Sequence, residues 1–128
     1  ALEQGCKELI LVCATGGRID HMLSNLFLCE QVYELGGHLS VIDEQNIIML
    51  HTGGQMKFAR NELKKYISLI PLDEKIEGVT MKGLKYPLEN ASLTRKKIIS
   101  VSNEPANDDI SIEILSGKAL IILTDDKY

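Results

Sequence analysis

The apolar positions of this chain fall into two textures. Leu9-Ile10-Leu11-Val12 is a short continuous apolar run, the pattern of a buried strand. A segment carrying Leu23, Leu26, Phe27, Leu28, Val32 and Leu35 follows, and its spacing predicts a helix from about Asp20 to Leu35, closed by Gly36-Gly37. His38-Leu39-Ser40-Val41-Ile42-Asp43 reads as a second strand, separated from the first by that one helix, as a parallel βαβ crossover requires. Asn46–Leu50 then continues this sheet or starts another. Beyond about residue 50 no helical period persists. Strands are predicted near Gln55–Ala59, Tyr66–Leu72, Lys75–Lys82, Lys97–Val101, Asp109–Leu115 and Ala119–Leu123, with one helical turn at Arg60–Lys65. Ile110, Ile112 and Ile114 alternate with Ser111 and Glu113, the period of a half-buried strand. Gly53-Gly54 and Ser116-Gly117-Lys118 read as hairpin turns. The fold class expected is α/β followed by all-β: the end of a parallel α/β (Rossmann-like) nucleotide-binding domain, residues 1–50, plus an antiparallel β-sandwich, residues 51–128.

Polar residues concentrate at two places in this pattern. The first is the turn between the first strand and the helix, Thr15-Gly16-Gly17-Arg18-Ile19-Asp20-His21. Such a turn lies at the carboxyl end of a strand, where open α/β sheets collect ligands. Its glycines would let backbone approach a phosphate, and the helix start presents N–H groups to an anion. Arg18 adds a fork of donors for phosphate oxygens and Asp20 a carboxylate able to hold Mg²⁺. The same residues also make a plain tight turn, with Asp20 as an N-cap and Arg18 a solvated charge. The second concentration, Ser102-Asn103-Glu104-Pro105-Ala106-Asn107-Asp108-Asp109, is a strand-to-strand loop by composition. Its Ser102 and Asn103 could also meet the donor and acceptor edge of a small heterocycle. His21 could touch a ligand or simply satisfy the helix start, His38 and His51 stand beside strands without ligand spacing, and Asp125-Asp126-Lys127-Tyr128 reads as a solvated tail.

Composition narrows the function classes. A chain of 128 residues with 45% hydrophobic and 25% charged residues is an ordinary globular domain, or two small ones. A net charge of −4 without a Lys/Arg cluster argues against a nucleic-acid partner; Lys64-Lys65 and Arg95-Lys96-Lys97 read as solvated turns. Cys6, Cys13 and Cys29 have no paired or metal-type spacing, which suits a reducing, cytoplasmic compartment, with Cys13 and Cys29 as small core residues. No apolar run approaches the ~20 residues of a membrane helix. The chain opens without a methionine, on residues that read as the last turn of a helix capped by Gly5, so a fragment is expected.

Three segments resemble one family. Thr15-Gly16-Gly17-Arg18-Ile19-Asp20-His21-Met22-Leu23-Ser24-Asn25 is similar to the TGGRxDHxLxN motif of thiamine pyrophosphokinase. Gly78-Val79-Thr80-Met81-Lys82-Gly83-Leu84-Lys85-Tyr86-Pro87-Leu88 resembles its GVTxxGLxYPL segment, and Val101-Ser102-Asn103-Glu104 its VSNE motif. The resemblance implies a transferase that moves a pyrophosphoryl group from Mg-ATP to thiamine, working as a homodimer with active sites between subunits. Carried over by position, Thr15, Gly16, Gly17, Arg18, His21 and Asn25 would hold the ATP phosphates. Arg18 and Asp20 would be catalytic, Asp20 would face Mg²⁺, and Ser102 and Asn103 would face thiamine. The chain departs from the family in two respects. The family's upstream acidic motifs do not occur, so this polypeptide alone is expected to be inactive or nearly so, and residues 1 to about 50 are expected to lean on another chain, a swapped element or a neighbouring molecule. No Trp is present, and Ile121 or Ile122 stands where some members place one against thiamine. Two rival readings share some of these features: a pyrophosphokinase acting on another hydroxymethyl heterocycle such as a pterin, and a non-catalytic ligand-binding or interaction module.

Overall fold

A computed structural model describes residues 8–12, 19–97 and 99–126. The elements are β1 (Glu8–Val12), α1 (Ile19–Glu34), β2 (His38–Ile42), β3 (Asn46–His51), β4 (Gly54–Ala59), β5 (Tyr66–Pro71), β6 (Lys75–Lys82), β7 (Leu88–Thr94), β8 (Asp109–Ile114) and β9 (Ala119–Thr124). A 3-10 turn, Arg60–Glu62, joins β4 to the segment before β5. Among the described residues the architecture is mostly β, with one helix and two sheets: a five-stranded sheet in the order β1-β2-β3-β9-β5 and a four-stranded sheet in the order β4-β8-β6-β7.

Among the described residues parallel pairing is confined to one strand pair, β1 with β2, in register from Glu8 opposite His38 to Val12 opposite Ile42. That is the crossover expected around the helix. β3 turns back antiparallel to β2 through only two residue pairs, Val41 with Ile48 and Ile42 with Ile47, and then pairs along its whole length with β9. The helix ends as its glycines require. Gly36 takes φ +89°, a conformation costly for any side chain, and the Gly37 N–H donates to the Val32 carbonyl at 3.0 Å, closing the last turn.

The side chains of the five-stranded sheet alternate between two cores. Ile67, Leu69, Ala119, Ile121 and Leu123 face the four-stranded sheet, where Ile76, Val79, Met81, Leu93, Ile110, Ile112 and Ile114 meet them. Ile48, Leu50 and Leu120 face the other way, with Cys29 and Val32 of α1 and Leu39 and Val41 of β2. This is period-two alternation carried through a sheet covered on both faces. Cys29 is a buried free thiol within that second core, as expected, whereas Cys6 and Cys13 lie outside the described residues.

Four expectations need correction. Gly53-Gly54 and Ser116-Gly117-Lys118 are not hairpin turns. They are corners that carry the chain from one sheet to the other, since β3 and β9 belong to the five-stranded sheet and β4 and β8 to the four-stranded one. Turn chemistry sets a reversal but not which layer receives the next strand. No strand forms among the described residues of 97–101: Lys97 bridges Thr94, and Ser100 lies along the edge of β5, its carbonyl accepting the Leu69 N–H at 2.9 Å. In its place β7 forms from Leu88–Thr94, an edge strand with only Leu93 buried. The acidic tail is pinned as far as Asp126. The Asp125 carboxylate accepts the Lys65 N–H at 2.8 Å and pairs with Lys64 at 3.3 Å, while Asp126 pairs with Lys65.

Candidate functional site

Asp20 and His21, the described part of the first polar concentration, lie at the same end of the layers as Ser102 and Asn103. α1 begins where β1 and β2 end, beyond Val12 and Ile42. The registers carry that end across the sheet, from Ile42 opposite Ile47, to Asn46 opposite Thr124, to Thr124 opposite Tyr66. There, residues 100–103 run along the outer edge of β5. Ile67 and Asn103 exchange both backbone hydrogen bonds, at 2.8 and 2.9 Å. The free edge of β5 is thereby covered rather than left as a row of open donors.

Two buried serines fix this covering segment. Ser100 Oγ donates to the Leu69 carbonyl at 2.6 Å, and Ser68 Oγ accepts the Ser102 N–H at 2.9 Å. Ser102 itself is exposed and sits at φ +60°, a left-handed conformation that a non-glycine residue adopts only when its neighbours hold it there. The same segment then crosses to the loop after β6. Lys85 N–H donates to the Glu104 carbonyl at 2.8 Å, and the N–H groups of Ala106 and Asn107 share the Gly83 carbonyl at 2.8 and 3.1 Å. Gly83, at φ +81°, is required here because a Cβ would stand 2.1 Å from the Asp109 carbonyl oxygen. Residues 100–107 therefore lace the edge of one sheet to the β6–β7 loop of the other.

Asn103 is the knot of that lace. Buried to 4% exposure, its Oδ1 accepts the N–H groups of Tyr86 at 2.9 Å and Glu104 at 3.0 Å, and its Nδ2 donates to the Tyr86 carbonyl at 2.8 Å. Around it lie exposed groups: the ring of Tyr86, the aliphatic side chains of Ile99 and Val101, and the Lys85–Glu104 ion pair at 3.4 Å. A separate open crevice of about 490 Å³ is lined by Lys57, Phe58, Ala59, Glu62, Asp109 and Ile110 and includes neither Ser102 nor Asn103.

At the helix start, Thr15, Gly16, Gly17 and Arg18 lie outside the described residues. Asp20, His21 and Asn25 are on α1. Asp20 and His21 are exposed in its first turn, and Asp20 Oδ1 accepts the His21 N–H at 2.9 Å; Asp20 lies within the helix, not at its N-cap. Among the described residues no group of three His, Cys, Asp or Glu side chains is placed to hold a metal. β2 and the segment beside β5 lie four strand spacings apart, on the order of 20 Å at ~4.8 Å each, and α1 packs over β2 and β3.

Sequence reasoning missed the chemistry of His51. It is fully buried; its Nδ1 accepts the Gly53 N–H at 3.1 Å, so its Nε2–H donates to the Ile112 carbonyl at 3.0 Å. Burial outweighs that carbonyl and holds the imidazole below its ordinary pKa, as the neutral form. It is a latch between the β3–β4 corner and β8. Ser68 and Ser100 were missed for the same reason, since their partners are distant in sequence. Tyr86 carried a signal, an aromatic set between Gly83 and Pro87 in a predicted loop.

Comparison with known proteins places this geometry. The family model for the thiamin pyrophosphokinase vitamin B1 binding domain matches residues 55–119, just over half of the chain. Thiamine pyrophosphokinase of Bacillus subtilis is 32% identical over 98% of the chain, which spans 59% of that protein. Thiamin pyrophosphokinase 1 of Caenorhabditis elegans is 27% identical over 87% of the chain, which spans 46% of it. The crystal structure of the B. subtilis protein superposes with a TM-score of 0.91, again with 98% of this chain on 59% of that one. The structure from Geobacillus thermodenitrificans gives 0.86 at 28% identity, covering 98% of this chain and 58% of that one. Among the described residues no helix is long and apolar enough to cross a membrane. With the family model falling on the two sheets and the laced edge between them, this chain belongs to the thiamin pyrophosphokinase family.

Proposed function

We infer that this chain is the thiamine-binding part of a thiamine diphosphokinase, together with the end of its nucleotide domain. The observation that carries the reading is the coincidence of the vitamin B1 binding match at residues 55–119 with the lace built around Ser102 and Asn103. In the reaction, the hydroxyethyl oxygen of thiamine attacks the β-phosphorus of ATP. The bond to the α-phosphate oxygen breaks, giving thiamine diphosphate and AMP. Such transfer depends on positioning and on neutralising phosphate charge rather than on covalent catalysis.

The division of labour is residues 1–50 as the end of a Rossmann-like α/β unit and residues 51–128 as the thiamine-binding sandwich. Thr15, Gly16, Gly17, Arg18, His21 and Asn25 are assigned to the ATP phosphates, Arg18 and Asp20 to the reacting centre, and Ser102 and Asn103 to the thiamine site. Asp20 would offer Mg²⁺ a single carboxylate. A homodimer with active sites between subunits, as the family resemblance implies, would let the other subunit complete each site. A cytoplasmic location fits the reduced Cys29.

Titration calorimetry of the chain with thiamine tests this. Saturable heat is expected with thiamine, none with a hydroxymethylpterin, and the thiamine heat is lost in Asn103→Ala. Heat with the pterin and not with thiamine would move the substrate to the other heterocycle, and heat with neither would remove the vitamin site.

A further inference from the structure

Along the edge of β5 the lace carries one residue too many. Ile67 and Asn103 exchange both backbone hydrogen bonds, and an unbroken antiparallel register would next set Leu69 opposite Val101. The Leu69 N–H donates instead to the Ser100 carbonyl at 2.9 Å, so Val101 and Ser102 together stand opposite Ser68. That is a β-bulge, and Ser102 is its left-handed residue at φ +60°, a position that usually goes to glycine. Serine there carries a backbone cost that glycine would not, and it does so on an exposed residue.

The Ser68 hydroxyl closes the bulge. It accepts the Ser102 N–H at 2.9 Å, a bond made by the side chain of β5 rather than by its backbone. Ser68 is 6% exposed, and strand alternation puts it on the face of β5 opposite to that of Ile67 and Leu69. Its register partner there is Ile122, and both Ile122 and Ile70 pack with the core under α1. A hydroxyl in such a row is costly unless it is hydrogen-bonded, so packing alone favours an aliphatic residue at this position. What the hydroxyl supplies is the grip on Ser102.

We propose that Ser68 is a positioning residue of the substrate site: its buried hydroxyl holds Ser102 in the left-handed conformation, and so aims Ser102 at the vitamin without touching the vitamin itself. The proposal rests on the thiamine reading of the lace. It goes beyond that reading by placing a determinant of affinity inside the sheet, behind the segment that meets the ligand.

Thiamine titrations of wild type, Ser68→Ala, Ser68→Thr, Ser102→Gly and the double variant Ser68→Ala/Ser102→Gly test it. In the ligand-free forms that keep Ser102, the NOE between its amide proton and its Hα reports the conformation, since it is strong only for a left-handed residue. Ser68→Ala weakens thiamine binding by about three- to tenfold and weakens that NOE. Ser68→Thr, which restores the hydroxyl, recovers most of both losses. Ser102→Gly loses its own hydroxyl and part of the affinity, but it reaches the left-handed conformation unaided. Removing the Ser68 hydroxyl in that background therefore adds less than about twofold. If Ser68→Ala does not fold by circular dichroism, Ser68→Cys replaces it, similar in shape and a much weaker acceptor, with the same losses expected. Losses that multiply in the double variant would mean that Ser68 acts by another route, and would overturn the proposal. So would a Ser68→Ala chain that keeps the strong NOE. A wild type that binds no thiamine removes the underlying reading and the positioning role with it. A wild type that binds thiamine beside an equally tight Ser68→Ala removes the positioning role alone.

Discussion

The two parts of this chain bury their apolar residues very differently. The sandwich closes on itself: Ile67, Leu69, Ile76, Met81, Ile112, Ile114 and Ile121 are each fully buried between two sheets. In the β1–α1–β2 part, none of the five residues of β1 is buried, and Ile10 and Val12 are 67% and 77% exposed. On α1, Ile19, Leu23 and Phe27 form an i, i+4, i+8 stripe that faces away from the core containing Cys29 and Val32. Apolar patterning therefore reports that an element wants a partner; only the fold says whether the partner is present. It also separates the roles. Pre-organised side chains belong to the sandwich, where Ser68, Ser100 and Asn103 are locked by hydrogen bonds.

The contrast is broken most severely in the core. Ile121→Ala removes a fully buried side chain and is expected to cost about 3–4 kcal/mol in urea unfolding. Ile10→Ala on β1 should stay within ~0.5 kcal/mol. Equal losses would mean that the two parts are packed alike. A pair of glycines sharpens the comparison. Gly83→Ala combines φ +81° with a backbone oxygen 2.1 Å from the new Cβ and is expected to cost at least ~2 kcal/mol by thermal or urea unfolding. Gly36→Ala meets nothing within 4 Å and carries only the ~1 kcal/mol of its φ of +89°.

His51 gives the sandwich a pH signature. Its folded pKa lies below the ordinary 6.5, so the unfolded chain binds the extra proton. Stability from this group is complete above about pH 6.5 and falls as the pH drops through and below that value, by at most ~1.4 kcal/mol per pH unit for one proton. Urea midpoints across pH 5–8 measure it, and His51→Gln should flatten the slope. The smallest effect concerns the join between the parts. Lys118 at the β8–β9 corner reaches Glu30 of α1 at 3.0 Å, with both side chains partly exposed, and its own N–H donates to Asp73 at 2.8 Å. A double-mutant cycle of Lys118→Met and Glu30→Gln should give a coupling below ~1 kcal/mol. A larger coupling would make the ion pair a principal link between the parts.

What could be read from the chain in advance follows the range of the interactions concerned. β8 was legible because Ile110, Ile112 and Ile114 alternate with polar residues and all three are buried. The helix was legible from its period and its closing glycines. β7 was not, because an edge strand reading LENASLT is specified by pairing with β6 rather than by its own pattern. The corners at Gly53 and Gly117 looked like hairpins because a turn does not encode the layer to which it delivers the chain. At the site, Ser102 and Asn103 stood out by type and motif. The work of Asn103 did not, because its partner Tyr86 is 17 residues away, and the partner of His51 across the core is 61 away.

The central claim is that the vitamin site lies on the laced edge of the sandwich, away from α1. Backbone amide shifts of the chain titrated with thiamine test it most directly. The account predicts saturable shifts at Tyr86, Ser102, Asn103 and Glu104, with the amides of α1 undisturbed. Shifts concentrated on α1, with the lace silent, would contradict it.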